Sequence, residues 1–539
     1  MAAIADAHPG EAGPVNLVSL PARLSALMAR QGAHAARTVV LVPFAQLMPL
    51  ARQAWARHCP DGFCPRFETT LNWASRSGFS PGPEDLSFDR AQDLLTARTL
   101  VDRAGLGRHA AVLAPRLVDA AWQVASVAAA VDPADREGWA LQARAAGGLG
   151  LDHPVLALEA ALAQIAIAWA ASSSYATDRL FEPAGLADVD LLVLLEGLQP
   201  DPVARAIVGR LGGLATCWAL DTGEEGDAAH ADHMALHACD TAAQEAERAA
   251  ACVLQHLAEG RQPVALAAVD RVLTRRVRAM LATHGVRVAD ETGWKLSTTR
   301  AAAFVMATLR VARWDAASDE VLDWLKHLPA VPPEPVQALE RQVRREGLRA
   351  WSQASPQRLG ARGLRGAGAG GESARGDGDG GGPAWVALLA QVNAWRERLR
   401  QPRTLAAWQQ ALREVLQAVG AWPALEADAA GAQLVAALGL DEAGQSLWAR
   451  LPQAARRMSL DDLTAWVGDA LEAASYVPDP PPQPQVVVLP FSQLLARPFA
   501  ALVVPGCDET RLAPSPEPPG PWTAAQREAL GLPSRESLE

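Results

Sequence analysis

Lysine is almost missing from this sequence. Only Lys295 and Lys326 occur in 539 residues, so arginine supplies nearly all of the 49 basic side chains. A P-loop needs a Gly-rich turn, a lysine that reaches the outer phosphates and a Ser or Thr on magnesium. Lys295 stands in Gly293-Trp294-Lys295-Leu296 and Lys326 in Leu325-Lys326-His327, and neither is a Gly-Lys-Ser/Thr. A metal nuclease of the PD-(D/E)XK type sets a lysine two residues after a carboxylate, but Gly293 and Trp324 hold those places here. These absences argue against a self-sufficient ATPase or nuclease in this segment, and no catalytic residue is assigned.

Cysteine pairs are missing too. Cys59, Cys64, Cys217, Cys239, Cys252 and Cys507 are scattered, with no C-x-x-C, which argues against a disulfide framework. No basic stretch followed by an apolar run opens the chain, so no signal peptide is read. The most membrane-like segment, Val155–Ala171, falls short of the roughly 20 apolar residues a span needs. Glu159 and Gln164 interrupt it, and Leu158, Leu162, Ile165 and Trp169 follow helical spacing, which predicts a buried core helix. The expectation is a cytoplasmic protein with no membrane partner. No repeat of fixed period is visible.

Half of the residues are apolar and a fifth are charged, a globular composition long enough for two to four domains. The net charge of -11 argues against a uniformly basic surface but leaves room for a local basic groove. Residues 1–15 read as disordered. Thr38–Val42, ended by Pro43, reads as a buried strand, Gln46–Arg57 as a helix, and Phe63–Trp73 as an aromatic loop. Asp89 to Ala171 is helical text, and Val189–Glu196 and Leu214–Leu220 read as strands. A regular alternation follows: strand Met234–Ala238, helix Thr241–Glu259, strand Val264–Val269, helix Leu273–His284 closed by Gly285, and extended Val286–Val288. That spacing is typical of parallel α/β architecture. Thr298–Leu328 and Trp385–Ala474 return to helix. The Gly-rich stretch 359–383 reads as a linker, and the proline-rich Pro478–Pro484 as a connector. Gln485–Leu489 and Phe499–Val504 read as strands, and Trp522–Glu539 as a turn and helix that do not finish, as if the chain stopped inside a domain.

Several side-chain groups invite a function. His230, His233, His237 and Cys239 are metal-ligand types, but their spacing fits no known site and the bland reading is a partly exposed strand, so no metal site is assigned. Glu196 ends an apolar strand, where a helicase would place a magnesium carboxylate. Arginines cluster at 271, 275, 276 and 278, at 341, 344, 345 and 349, and at 396, 398, 400 and 403. On helices they are either solvated faces or a phosphate-tracking groove, with Trp73, Trp294, Trp314 and Trp351 as either core or stacking platforms.

The block 234–311 is similar to the second motor half of superfamily 1 helicases of the UvrD type. It runs through Thr241-Ala242-Ala243-Gln244-Glu245-Ala246, Pro263–Val269, Arg271–His284 and Gly285-Val286. Ala289–Thr299 resembles the D-x-x-G-x-x-L-x-x-T segment of AddB-type proteins, the partners of AddA in bacterial double-strand-break processing. Phe499–Thr510 resembles the helicase segment V-x-G-L-x-E-G, Ala529–Pro533 its sequel, and Leu41-Val42-Pro43 the place of a lost P-loop.

The resemblance implies an α/β fold of two RecA-like parallel-sheet domains of a degenerate superfamily 1 helicase, with large helical insertions. A first domain would span 16–232 with an insertion at about 87–172. A second would begin at 233–300 and resume at 485–539, with a helical insertion at 301–477. It implies binding of single-stranded or duplex-end DNA by Arg271, Arg275, Arg276, Arg278, Trp294, Thr298 and Thr299, decayed motifs at Glu196, Gly506, Asp508 and Glu509, and an AddA-like partner subunit. The family's PD-(D/E)XK exonuclease domain, with its iron–sulfur cluster and magnesium, would lie beyond residue 539, and no cofactor is implied for this segment. Two other readings remain open: a helical interaction scaffold unrelated to DNA, and a stand-alone exonuclease in the intact gene product.

Overall fold

A computed structural model describes residues 14–76, 78–149, 153–220, 234–360, 383–512 and 520–538. The chain divides into two compact units: one of 1–86, 116–292 and 479–539, the other of 87–115 and 293–478. The boundary at Pro115 falls inside the helix Ala110–Ala128, at a residue with no N–H to give to the helical ladder.

The first unit is built on two four-stranded sheets. Strands β1 (Thr38–Leu41), β2 (Arg66–Glu68), β3 (Leu191–Glu196) and β4 (Ala215–Ala219) form one, in the order β2-β1-β3-β4. Every pairing is parallel, with Val40 opposite both Phe67 and Val193, and Val193 opposite Thr216. All of β1 and five of the six residues of β3 are buried. This is the continuous apolar run that a parallel strand covered on both faces requires. Its core joins Leu24 and Leu47, Trp55, Phe67, Leu191 and Trp218.

The second sheet holds β5 (Val264–Ala267) and β6 (Val288–Asp290), with two later strands. The short pair β7 (Trp294–Lys295) and β8 (Ser475–Tyr476) belongs to the other unit, and β9 (Val486–Leu489) and β10 (Ala501–Val503) return to the first. The order is β10-β5-β9-β6, again all parallel, with Leu266 between Val503 and Val488. Thus the chain leaves after β6, makes about 190 residues of mostly helical structure, and comes back to fill the gap between β5 and β6. The helix Ala242–Ala258 starts at Thr241, whose hydroxyl accepts from Gln244 N, and the helix Arg271–Thr283 starts at Asp270, which accepts from the amides of Val272 and Leu273. Gly285 sits at φ +68, as the left-handed end of that helix demands.

Where expectation and structure differ, the causes are local. Val15, expected in a disordered leader, is buried, and its N–H donates to Ala219 O at 2.8 Å; residues 1–13 lie outside the described ones. Phe63–Trp73 is not only a loop: it contains β2 and the start of the helix Thr70–Ser75, capped by Thr69. Met234–Ala238 forms no strand, and all five residues are exposed. The Thr298–Leu328 text breaks into helices Arg300–Ala312 and Ser318–Lys326. The linker expected at 359–383 falls almost wholly on 361–382, outside the described residues.

The helix Pro154–Ser172 is long and apolar enough by composition to cross a membrane, with a third of that window buried. Its Leu162, Ile167 and Trp169 are in the core while Val155 and Leu158 are exposed, so the expected core helix is buried only toward its C-terminal end.

The second unit is helical. Three of its tryptophans bury their rings and keep their N–H groups paired: Trp466 with Ala91 O at 2.8 Å, Trp408 with Met458 O at 2.9 Å, and Trp351 with Asn393 Oδ1 at 3.0 Å. Arg396 is buried as well. It donates to the carbonyls of Val311 and Arg313, each at 2.6 Å, and so closes the end of the Arg300–Ala312 helix. Burial first, and Arg400 second, push its guanidinium down to about 10.

Candidate functional site

In an open parallel sheet, ligands bind beyond the carboxyl ends of the strands, where the strand order reverses. In the first sheet that place lies between β1, which leads to β2 on one side, and β3, which leads to β4 on the other. Only residues 42–46 join β1 to the helix Leu47–His58, and none of them is glycine. Pro43 has no N–H to offer a phosphate.

Gly197 follows β3 and packs directly on this loop. A Cβ there would lie 2.9 Å from Pro43 Cβ, 3.1 Å from Pro43 Cγ and 3.6 Å from Leu495 Cδ2. Leu495 and Ala496 come from the loop after β9 and pack against the core of the first sheet. The mouth between β1 and β3 is therefore closed by carbon. The loop that supplies Leu495 bends at Ala496, φ +58, a left-handed turn that costs an L-residue about 1–2 kcal/mol. Arg497 fixes it by a two-pronged bond to Glu291, at 2.6 and 2.8 Å, with the guanidinium over the Phe499 ring. One oxygen of the Glu196 carboxylate is engaged by a cation: Arg205 Nε donates to its Oε1 at 2.7 Å.

The second sheet closes its carboxyl edge with charge. Gly506, φ +79, donates its N–H to Glu245 Oε1 at 2.8 Å, and Arg511 donates to Glu245 Oε2 at 2.8 Å. Arg511 also reaches Asp270 at 3.4 Å and Asp508 at 3.2 Å. Asp508 Oδ1 accepts from the Thr510 hydroxyl at 2.6 Å and from the amides of Thr510 and Arg511. The Thr510 hydroxyl, ahead of those amides and of Arg511, holds the Asp508 carboxyl below the usual carboxylate range. The hydrogen bond to Glu245 raises the Arg511 guanidinium. Glu509 is exposed.

The residues expected to meet DNA divide among different roles. Arg271, Arg275 and Arg276 are exposed on one helix, whereas Arg278 turns back to Asp290 at 2.6 Å. Trp294 belongs to the other unit and packs its ring on Tyr476, centroids 5.6 Å apart. Thr299 caps the Arg300–Ala312 helix through Ala302 N, and the Thr298 hydroxyl donates to Lys295 O. Both threonines are thus accounted for by local backbone bonds.

Arg344 pairs with Glu340, Arg400 with Glu397, and Arg396 is internal. Trp73 and Trp351 are core residues, which leaves Trp314, 69% exposed, as the open ring of the four considered. Of the histidine group, His230 and His233 lie outside the described residues. His237 and Cys239 lie outside regular structure just before a helix, and among the described residues no group of three His, Cys, Asp or Glu could hold a metal. Sequence reasoning missed Leu495, Arg497, Glu291 and Arg511; only the Asp508-x-x-Arg511 spacing was open to it.

No protein-family model matches this chain, and no curated protein matches it either.

Proposed function

We propose that this chain is the non-hydrolysing scaffold of an AddB-type helicase–nuclease. In this reading the two sheets of the first unit are RecA-like halves that keep a motor's architecture without its ATP chemistry. The observation that carries it is a pair of all-parallel four-stranded sheets whose expected nucleotide mouth is filled by Pro43, Gly197 and Leu495. A phosphate needs free N–H groups and a cation there. The mouth offers the Pro43 ring and Leu495 carbon instead, and one oxygen of the carboxylate at the end of β3 is engaged by Arg205.

The scaffold's work is then to bind a single strand in the cytoplasm, next to an AddA-like motor, and to pass it to a PD-(D/E)XK exonuclease centre. Such binding is dominated by phosphate contacts and weakens steeply with salt. The test is equilibrium binding of a fluorescent single-stranded oligonucleotide to the full chain, alone and with an AddA-like subunit, at two salt concentrations. Salt-dependent affinity is expected; no affinity in either setting would remove the reading.

A further inference from the structure

The helix Arg271–Thr283 buries Leu273, Thr274, Val277 and Leu281 against the second sheet. At 3.6 residues per turn its opposite side carries Arg271 and Arg275 on one flank, Arg276 on the other, and Val272 with Ala279 between them. Val272 is 62% exposed. The helix contains no acidic residue.

The charges around it are engaged elsewhere. Asp270 caps the helix and faces Arg511, Asp508 and Glu245 hold the same Arg511, and Asp290 holds Arg278. Glu247 and Arg248 on the packed neighbour helix Ala242–Ala258 are exposed, and no ion pair joins Glu247 to the three arginines. Among the described residues some exposed arginines pair with a carboxylate, as Arg205, Arg210 and Arg344 do, and others, such as Arg57 and Arg310, stand singly without one. Arg271, Arg275 and Arg276 pair with none among the described residues, and they put three guanidiniums within six residues on one helix of a chain of net charge -11.

We propose that this helix face is a contact surface for the sugar–phosphate backbone of single-stranded nucleic acid, with Arg271, Arg275 and Arg276 as the phosphate ligands. The proposal rests on the single-strand-binding reading above and gives it a place. Arg271 and Arg275 stand about 6 Å apart along the axis, far enough to hold neighbouring phosphates rather than share one. The strip of Val272 and Ala279 carries no side-chain donor or acceptor to read a base edge, so recognition is independent of sequence. An acidic peptide is the competing occupant. The strip between the arginines is two small, exposed apolar residues, and a phosphate chain needs only the spaced cations.

The test compares the full chain with a variant carrying Arg271→Ser, Arg275→Ser and Arg276→Ser, using an oligo-dT probe over a salt series. Each lost phosphate contact lowers the slope of log K against log salt by about 0.7, so the triple variant should lose about 2. A variant with lysine at all three positions keeps the charge and should keep the slope. Arg210→Ser with Arg344→Ser, which removes paired charges, should leave it unchanged. An unaltered slope in a folded serine variant, or a lysine variant as shallow as the serine one, would overturn the surface while wild-type binding upheld the scaffold. A wild-type chain with no affinity for the probe would overturn both.

Discussion

The two sheets of the first unit share a plan and differ at their carboxyl edges. The first is closed by apolar contact between Pro43, Gly197 and Leu495, the second by a charge cluster of Glu245, Asp270, Asp508 and Arg511. Apolar closure is insensitive to salt and pH but intolerant of added volume, because packed interiors do not yield. Charged closure tolerates volume at its rim and responds to protonation. The two edges therefore hold their loops by different means, one by packing carbon on carbon and the other by pairing charges.

The largest effect should come from adding volume to the apolar edge. Gly197→Val places carbon within 2.9 Å of the Pro43 ring and should cost about 1–3 kcal/mol in urea unfolding. Gly506→Ala at the charged edge meets the aliphatic part of Arg511 at 3.2 Å, a side chain able to move, although its φ of +79 is itself unfavourable. A cost of about 1 kcal/mol is expected, and equal or reversed costs would break the comparison.

Next in size is Leu495→Ala. The side chain is half-buried, so about 1–2 kcal/mol should be lost, below the usual range for a full core leucine. Faster amide exchange at 42–46 and 197–200 should accompany it. A loss confined to the loop after β9 would show that the leucine does not seal the first sheet.

How much of this was legible in the sequence depends on the kind of contact. Strands β5 and β9 are unbroken apolar runs and β1 and β3 are apolar but for Thr38 and Glu196 at their ends, and their burial on both faces follows from that. Strand β2 is three residues long, with Arg66 and Glu68 around Phe67, and gives no such signal. Met234–Ala238 has a strand-like composition, but composition does not supply a partner strand. Glu196, Gly506 and Asp508 were singled out in the sequence by their resemblance to helicase motifs. Leu495 on Gly197 was not, since it joins loops about 300 residues apart through plain hydrocarbon. Arg278 looked like its neighbours in sequence, and only the fold sets it against Asp290.

The smallest effect tests the charged edge. The Asp508 carboxyl is held low chiefly by the Thr510 hydroxyl. What this acid contributes to stability is therefore present above its ordinary pKa, roughly 4, and is lost as pH falls through the lower folded value. Thr510→Val should raise the Asp508 titration seen by NMR toward the ordinary value and leave the Gly197 edge unchanged. A titration that does not move would assign the shift to Arg511 instead.

The measurement closest to the central claim is a magnesium-ATP titration of the wild-type chain by equilibrium dialysis. With the mouth between β1 and β3 closed by Pro43, Gly197 and Leu495, no saturable binding at millimolar nucleotide and no phosphate release are expected. Saturable binding displaced by ADP, or any sustained hydrolysis, would contradict the account.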